Sequence, residues 1–307
     1  MKPEKNVDVI IVGGGIAGMT AAIYTARANL STVIIEKEVC GGLVNSTHVV
    51  ENFPSYPSIN GMELMEKTLE QVEELGVEVE QVAEINSLKL SEEIKTVETE
   101  EGIYKAKAII LATGRVPTPI PMETDCEQIH YCSVCDGTAY KGKKVLIVGG
   151  GNSGFDEALY LLSLGVEQIT IIEMMERFFA SQTTQDKVAD KPRISAHTST
   201  RIKELVEEGK LKGVILENSE SGETENLDVD GIFVFIGQKP NTGLFADTVT
   251  LDEQGYTLVN ESMETNLKGV YAAGDVNRKA YRQITTAMGR HGPGTSHTKS
   301  GPTAHSL

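Results

Sequence analysis

Apolar residues in this chain fall into short unbroken runs, and the first of them predicts the architecture. Val7–Val12 reads as a buried strand. It runs into Gly13-Gly14-Gly15-Ile16-Ala17-Gly18, an Ala-rich helical stretch follows to about Asn29, and a second strand, Thr32–Ile35, ends at Glu36. The same device returns about 135 residues later. Lys144–Val148 leads into Gly149-Gly150-Gly151-Asn152-Ser153-Gly154, a helix is expected to about Leu164, and the strand Gln168–Ile172 ends at Glu173. Strand, glycine turn, helix, strand and acid in that order open a dinucleotide-binding fold.

Between the two units, Gly61–Leu75 has helical apolar spacing, and Val77–Tyr104 reads as a strand-rich insert with acidic turns. Ala108–Ala112 is an apolar strand ending at Thr113-Gly114, and Val116–Pro121, with three prolines, reads as a linker. After the second unit come a strand over Asp230–Ile236, a turn-rich crossing over Gly237–Thr242, and a strand over Gly269–Val276 that ends at an acid. The fold class is therefore α/β, with two Rossmann-like dinucleotide-binding domains, one inserted in the other. The stretch from Gly289 onward, rich in Gly, Pro, Ser, Thr and His, reads as disordered.

The glycines have separate tasks: the first permits the tight turn, the second lets backbone approach a pyrophosphate, and the third lets helix pack on strand. The helix N-terminus then stabilises phosphate charge, and Glu36 is placed for the ribose hydroxyls of an adenosine. The sharpest local signal is Cys132-Ser133-Val134-Cys135-Asp136-Gly137. A two-residue spacer lets both sulfurs join in one disulfide and helps hold one thiolate at reduced pKa. Three blander readings stay open at this point: a zinc site completed by Cys126 and His130, a pair of inert core thiols, and a purely structural disulfide. Asp136 reads either as an acid beside the pair or as a turn residue.

Composition narrows the field. The chain has 307 residues, 40% hydrophobic and 23% charged, as a protein with a real core requires. Its net charge of −16 argues against nucleic acid or an anionic membrane as partner. No apolar run reaches the ~18 residues of a membrane span, nothing reads as a targeting segment, and a cytoplasmic location is expected.

Together the motifs resemble the low-molecular-weight thioredoxin reductase family, in the family's order and from about Asp8 to Met288. The first turn (Gly13, Gly15, Ile16, Ala17, Gly18) with Glu36 resembles its FAD-adenosine site. Gly42, Leu43 and Asn52 resemble the flavin-contacting loop, and Thr113-Gly114 the mid-chain signature. Gly274-Asp275 resembles the late signature that binds the ribityl chain, and Arg282-Gln283 the flavin-edge contact. The resemblance implies FAD as cofactor, with Cys132, Cys135 and Asp136 catalytic: Cys135 faces the flavin, Cys132 attacks the partner disulfide, and Asp136 handles the proton. It also implies thioredoxin or a similar small redox protein as partner, a homodimer, and a domain rotation hinged at the two crossings. The domains expected are a discontinuous FAD-binding domain over 1–116 and 240–290, an inserted domain over 117–239 with the cysteine pair and a degenerate pyridine-nucleotide-type site, and a tail over 291–307. No metal is expected.

Two departures bear on the electron donor. NADPH-dependent members carry a cluster of cations after the second strand, where this chain has Glu173-Met174-Met175-Glu176-Arg177. A carboxylate there repels a 2′-phosphate, so NADPH is disfavoured. The loop Cys40–Asn45 is similar to that of the ferredoxin-dependent flavin thioredoxin reductases, which makes ferredoxin the expected donor, with NADH or a second bound FAD as alternatives. Ferredoxins are acidic, so docking calls for a basic patch, and Arg278, Lys279 and Arg282 are the candidates.

Overall fold

The computed structural model describes residues 2–289, and the tail over 291–307 lies outside them. Contacts divide the chain into an inserted unit, Pro117–Gln238, and a second unit made from the chain on either side of it. The crossings do not run as bare linkers. Arg115–Pro117 and Gln238–Pro240 form a two-stranded ribbon, so the stretch expected as a linker from Val116 begins as a strand.

Each unit is built on a five-stranded sheet in which every pairing is parallel. In the discontinuous unit the order is Val270–Ala272, Ala108–Leu111, Val9–Val12, Thr32–Ile35, Glu78–Glu80. In the inserted unit it is Ile129–His130, Gly231–Val234, Lys144–Val148, Gln168–Ile172, Ile194–His197. Both place the strand that leads into a glycine turn third, at the centre of the sheet, where a ligand at the carboxyl ends is reached from both halves.

Continuous apolar strands need cover on both faces, and each unit supplies it in the same way. Val9 and Ile11 point into a core shared with the helices Ile16–Arg27 and Gly61–Glu74, while Ile10 and Val12 pack against an antiparallel layer that includes Val97 and Tyr104. In the inserted unit Val145 and Ile147 face the helix Asn152–Ser163, and Leu146 faces the antiparallel strands through Val214 and Leu216. That second antiparallel layer comprises Thr200–Glu207, Leu211–Asn218 and Thr224–Asp228. The expected helix over Gly61–Leu75 is observed over Gly61–Glu74, with Asn60 Oδ1 capping it by accepting from the Met62 and Glu63 N–H groups. Among the described residues no helix is long and apolar enough to cross a membrane.

Candidate functional site

The first glycine turn is set by contacts that only glycine permits. A Cβ on Gly13, whose φ is +109°, would fall 2.4 Å from the Ala112 carbonyl oxygen, and one on Gly18 would fall 1.9 Å from the Gly13 carbonyl. By contrast, nothing lies within 4 Å of a Cβ on Gly15, so the helix N-terminus opens on free space. Glu36 is fixed beside it: its Oε2 accepts from the Gly14 N–H at 2.6 Å and its Oε1 from the Glu38 N–H at 2.9 Å.

The predicted residues of this unit gather around that opening. Gly41 pairs with Gly15 and donates its N–H to the Gly14 carbonyl, and Gly42 begins the short helical segment that carries Leu43. Gly274 sits so close that a Cβ there would be 2.5 Å from Ala17 Cβ. Thr113 Oγ1 donates to the Asn241 carbonyl, the Asn241 N–H donates to the Gly114 carbonyl, and Asn52 Nδ2 donates to Gln283 Oε1 at 3.1 Å. Asp275 Oδ1 is buried with Lys279 Nζ 2.5 Å away, and the carboxylate keeps further lone pairs that can accept from a ligand hydroxyl. An open helix N-terminus, a strand-end carboxylate and a buried acceptor are what an FAD needs for pyrophosphate, ribose and ribityl groups. The residues therefore fit the cofactor.

One sequence expectation changes here. Lys279 is 5% exposed and ion-paired with Asp275, and Arg282 stacks over the Tyr256 ring at 4.0 Å with its Nε buried. Of the three cations expected to form a basic patch, Arg278 is the one exposed at the surface. Cys40, beside Gly14, is buried; desolvation, with Glu36 and Glu73 adding, pushes its thiol up to about 12, so it stays a neutral packing group.

The second turn reproduces the first atom for atom. Gly149 has a φ of +120°, and a Cβ there would lie 2.3 Å from the Phe235 carbonyl; on Gly154 it would lie 2.0 Å from the Gly149 carbonyl; Gly151 again faces open space. Glu173 repeats Glu36: Oε2 accepts from the Gly150 N–H at 2.8 Å and Oε1 from the Met175 N–H at 3.0 Å. Met174, Met175 and Phe179 stand exposed beside it, and Arg177 lies over the Phe179 ring.

Cys132 and Cys135 are joined in a disulfide. The zinc reading is set aside, because the two sulfurs are bonded to each other and both ring nitrogens of His130 are engaged by Asp136 and Tyr140. Cys132 caps the one-turn helix Ser133–Asp136, its Sγ accepting the Cys135 N–H at 3.1 Å. Gly137 lets this turn pack on the helix Asn152–Ser163, since a Cβ there would meet Leu161 and Leu164 side chains at 2.8 and 2.9 Å. Ser133 is fully buried beneath the turn, next to Glu157 of that helix, whose carboxyl is pushed up to about 7, first by burial and then by Asp156, against the Ser133 hydroxyl. Sequence reasoning passed over Glu157, Tyr140 and the non-metal role of His130. Their significance comes from contacts across strands, and no local spacing marks it.

Residues 7–290 match the family described as pyridine nucleotide-disulphide oxidoreductase. The chain is 41% identical over 292 residues to the "34.2 kDa protein in rubredoxin operon" of Clostridium pasteurianum, with 94% of each chain covered. It is 38% identical over 294 residues to the thioredoxin reductase of Bacillus subtilis, covering 94% of this chain and 92% of the relative. Among solved structures it is similar to the thioredoxin reductase of Lactococcus lactis, with a TM-score of 0.85, 33% identity, and coverage of 95% of this chain and 96% of that one.

Proposed function

The chain belongs to the pyridine nucleotide-disulphide oxidoreductase family and is a flavin disulfide oxidoreductase; from that premise we propose that it is a thioredoxin reductase, with FAD held in the discontinuous unit. The observation that carries this reading is the Cys132–Cys135 disulfide with Asp136 in sequence and Cys132 as the hydrogen-bonded sulfur. FAD, when bound and reduced by its donor, would supply the electron pair that opens the disulfide. Cys132 attacks the disulfide of thioredoxin; Cys135 then displaces the partner from the mixed disulfide; Asp136 serves the proton balance. Gly13, Gly15, Gly18 and Glu36 hold the adenosine and pyrophosphate of FAD, and Asp275 takes the ribityl chain. A homodimer is the arrangement that the resemblance implies, and a cytoplasmic location is the expectation from the sequence.

For the donor, Glu173 and Glu176 stand where a 2′-phosphate would need cations, which disfavours NADPH. A ferredoxin is the first reading, supported by the Cys40–Asn45 loop, although the surface offers it Arg278 and not the three-cation patch. NADH is the second reading, and a specific observation favours it: Glu173 makes the same two backbone hydrogen bonds as Glu36, the geometry that suits a free ribose 2′-hydroxyl.

A Cys135→Ser variant, reduced and mixed with oxidised thioredoxin, is expected to accumulate a mixed disulfide through Cys132, whereas Cys132→Ser accumulates none. Trapping through neither variant would contradict the assignment. Anaerobic bleaching of the flavin by reduced ferredoxin or by NADH decides between the donors, and fastest bleaching by NADPH would overturn the argument from Glu173.

A further inference from the structure

We propose that His130 is a positioning residue that holds Asp136 and reloads it with a proton during thiol–disulfide exchange; this deepens, and rests on, the reductase reading above. His130 ends the edge strand Ile129–His130, in register with Phe233. Its Nδ1 lies 3.3 Å from Asp136 Oδ2 and its Nε2 lies 2.6 Å from Tyr140 Oη, while Phe233 and Tyr140 wall the ring at centroid distances of 5.1 and 5.2 Å. The His130 side chain is 16% exposed and that of Asp136 40%, so the pair runs from the unit's interior to its surface.

The Tyr140 hydroxyl is pushed up to about 12 by burial, with Asp136, Cys126 and Asp230 adding, and Lys143 Nζ lies over its ring at 5.0 Å. It therefore keeps its proton across the neutral range. Such a hydroxyl accepts from Nε2–H of the charged ring and equally from Nε2–H of the neutral ring left when Nδ1 has given up its proton, so the ring changes charge without losing this partner. Nδ1, 3.3 Å from Asp136 Oδ2, is the ring nitrogen that faces the carboxylate.

An isolated aspartate is a weak proton source near neutrality, whereas imidazole titrates in that range. When the Cys132 thiolate attacks the partner, a new S–S bond forms, the partner's S–S bond breaks, and the departing sulfur leaves with the bonding pair. The Asp136 carboxyl gives that sulfur a proton, His130 Nδ1–H replaces it, and the imidazole reloads from water at its exposed edge. The Cys135 thiolate then re-forms the intramolecular disulfide and releases the second partner sulfur, which takes its proton from solvent. The electron pair consumed is the one carried by the reduced Cys132/Cys135 pair, which returns to the disulfide.

The test uses FAD-loaded, fully reduced enzyme and two disulfide probes. Hydroxyethyl disulfide expels an alkyl thiolate that needs a proton, and dithiobis-nitrobenzoate expels an aryl thiolate that does not. The ratio of their rates cancels the Cys132 thiolate fraction. In the wild type that ratio is expected to fall with rising pH, with a midpoint that matches the His130 ring titration followed by NMR. In His130→Asn the ratio should be roughly 10- to 100-fold lower at acid pH and flat, with the aryl probe within about two-fold of wild type, as the loss of a proton source alone requires. An unchanged ratio in His130→Asn, equal slowing of both probes, or a kinetic midpoint away from the His130 titration would overturn the proposal. Failure of the wild type to reduce either probe is a different result, and it would strike the reductase reading itself.

Discussion

At the scale of single residues, the buried carboxyl of Glu157 gives the inserted unit a pH signature. Burial, joined by Asp156, raises it to about 7 in the folded protein, while an unfolded glutamate titrates near 4.3. Between those values the folded chain holds a proton that the unfolded chain has released, so this group's contribution to stability declines as pH rises through that window. The decline amounts to roughly 2–4 kcal/mol as an upper bound. Glu157→Gln removes the ionisation and keeps the shape. The variant should be about 2 kcal/mol more stable than wild type at pH 8, with most of the gap gone at pH 5, as read by urea unfolding; an equal gap at both pH values would contradict the burial argument. The same residue shows the limit of legibility at this scale. Cys132, Cys135, Glu36 and Glu173 are marked by local spacing, whereas Glu157 looks like any helix carboxylate until Ser133 is seen beneath the cysteine turn. Lys279 failed in the other direction: a cation in a polar stretch reads as surface, and the fold buries it against Asp275.

At the scale of elements, the two glycine turns carry equal steric restraint, and the proposed function assigns FAD to the first. A Cβ on Gly18 or on Gly154 meets backbone carbonyl oxygen at 1.9 and 2.0 Å, and backbone cannot swing aside as a flexible side chain can. Gly18→Ala should therefore purify with most of its FAD lost, measured as the flavin-to-protein absorbance ratio. Gly154→Ala should keep its FAD and lose only what the second turn binds. Full flavin content in Gly18→Ala would place the cofactor elsewhere. Both turns were legible because unbroken apolar strands and their glycines are contiguous in sequence. The helix Gln182–Ala189 and the three strands between Thr200 and Asp228 were not. The helix buries little beyond Val188, and the strands Thr200–Glu207 and Thr224–Asp228 are mostly exposed, so apolar periodicity is too weak to mark them; the strand between them, Leu211–Asn218, buries Leu211, Val214 and Leu216 and was passed over. The edge strand Glu4–Asn6, exposed throughout, was missed for the same reason.

At the scale of the whole molecule, the legible feature was duplication: two strand–turn–helix devices a domain apart imply two nucleotide-type folds, and four strands of each sheet follow one order, while the fifth is the last strand of one sheet (Val270–Ala272) and the first of the other (Ile129–His130). What the chain could not reveal was how each turn is employed, because Glu36 and Glu173 make the same contacts to their own glycines. The net charge of −16 adds a condition on an acidic donor, which would have to find Arg278 against a repelling field that salt weakens. The account stands on electrons passing between one FAD and one disulfide, and an anaerobic reductive titration of the purified, FAD-loaded protein tests that most directly. The disulfide is a two-electron couple, so the wild type should take up about twice as many electrons per flavin as Cys135→Ser before the flavin is fully bleached. Equal uptake by the two proteins would show that the cysteine pair never receives the flavin's electrons, and the account would fall.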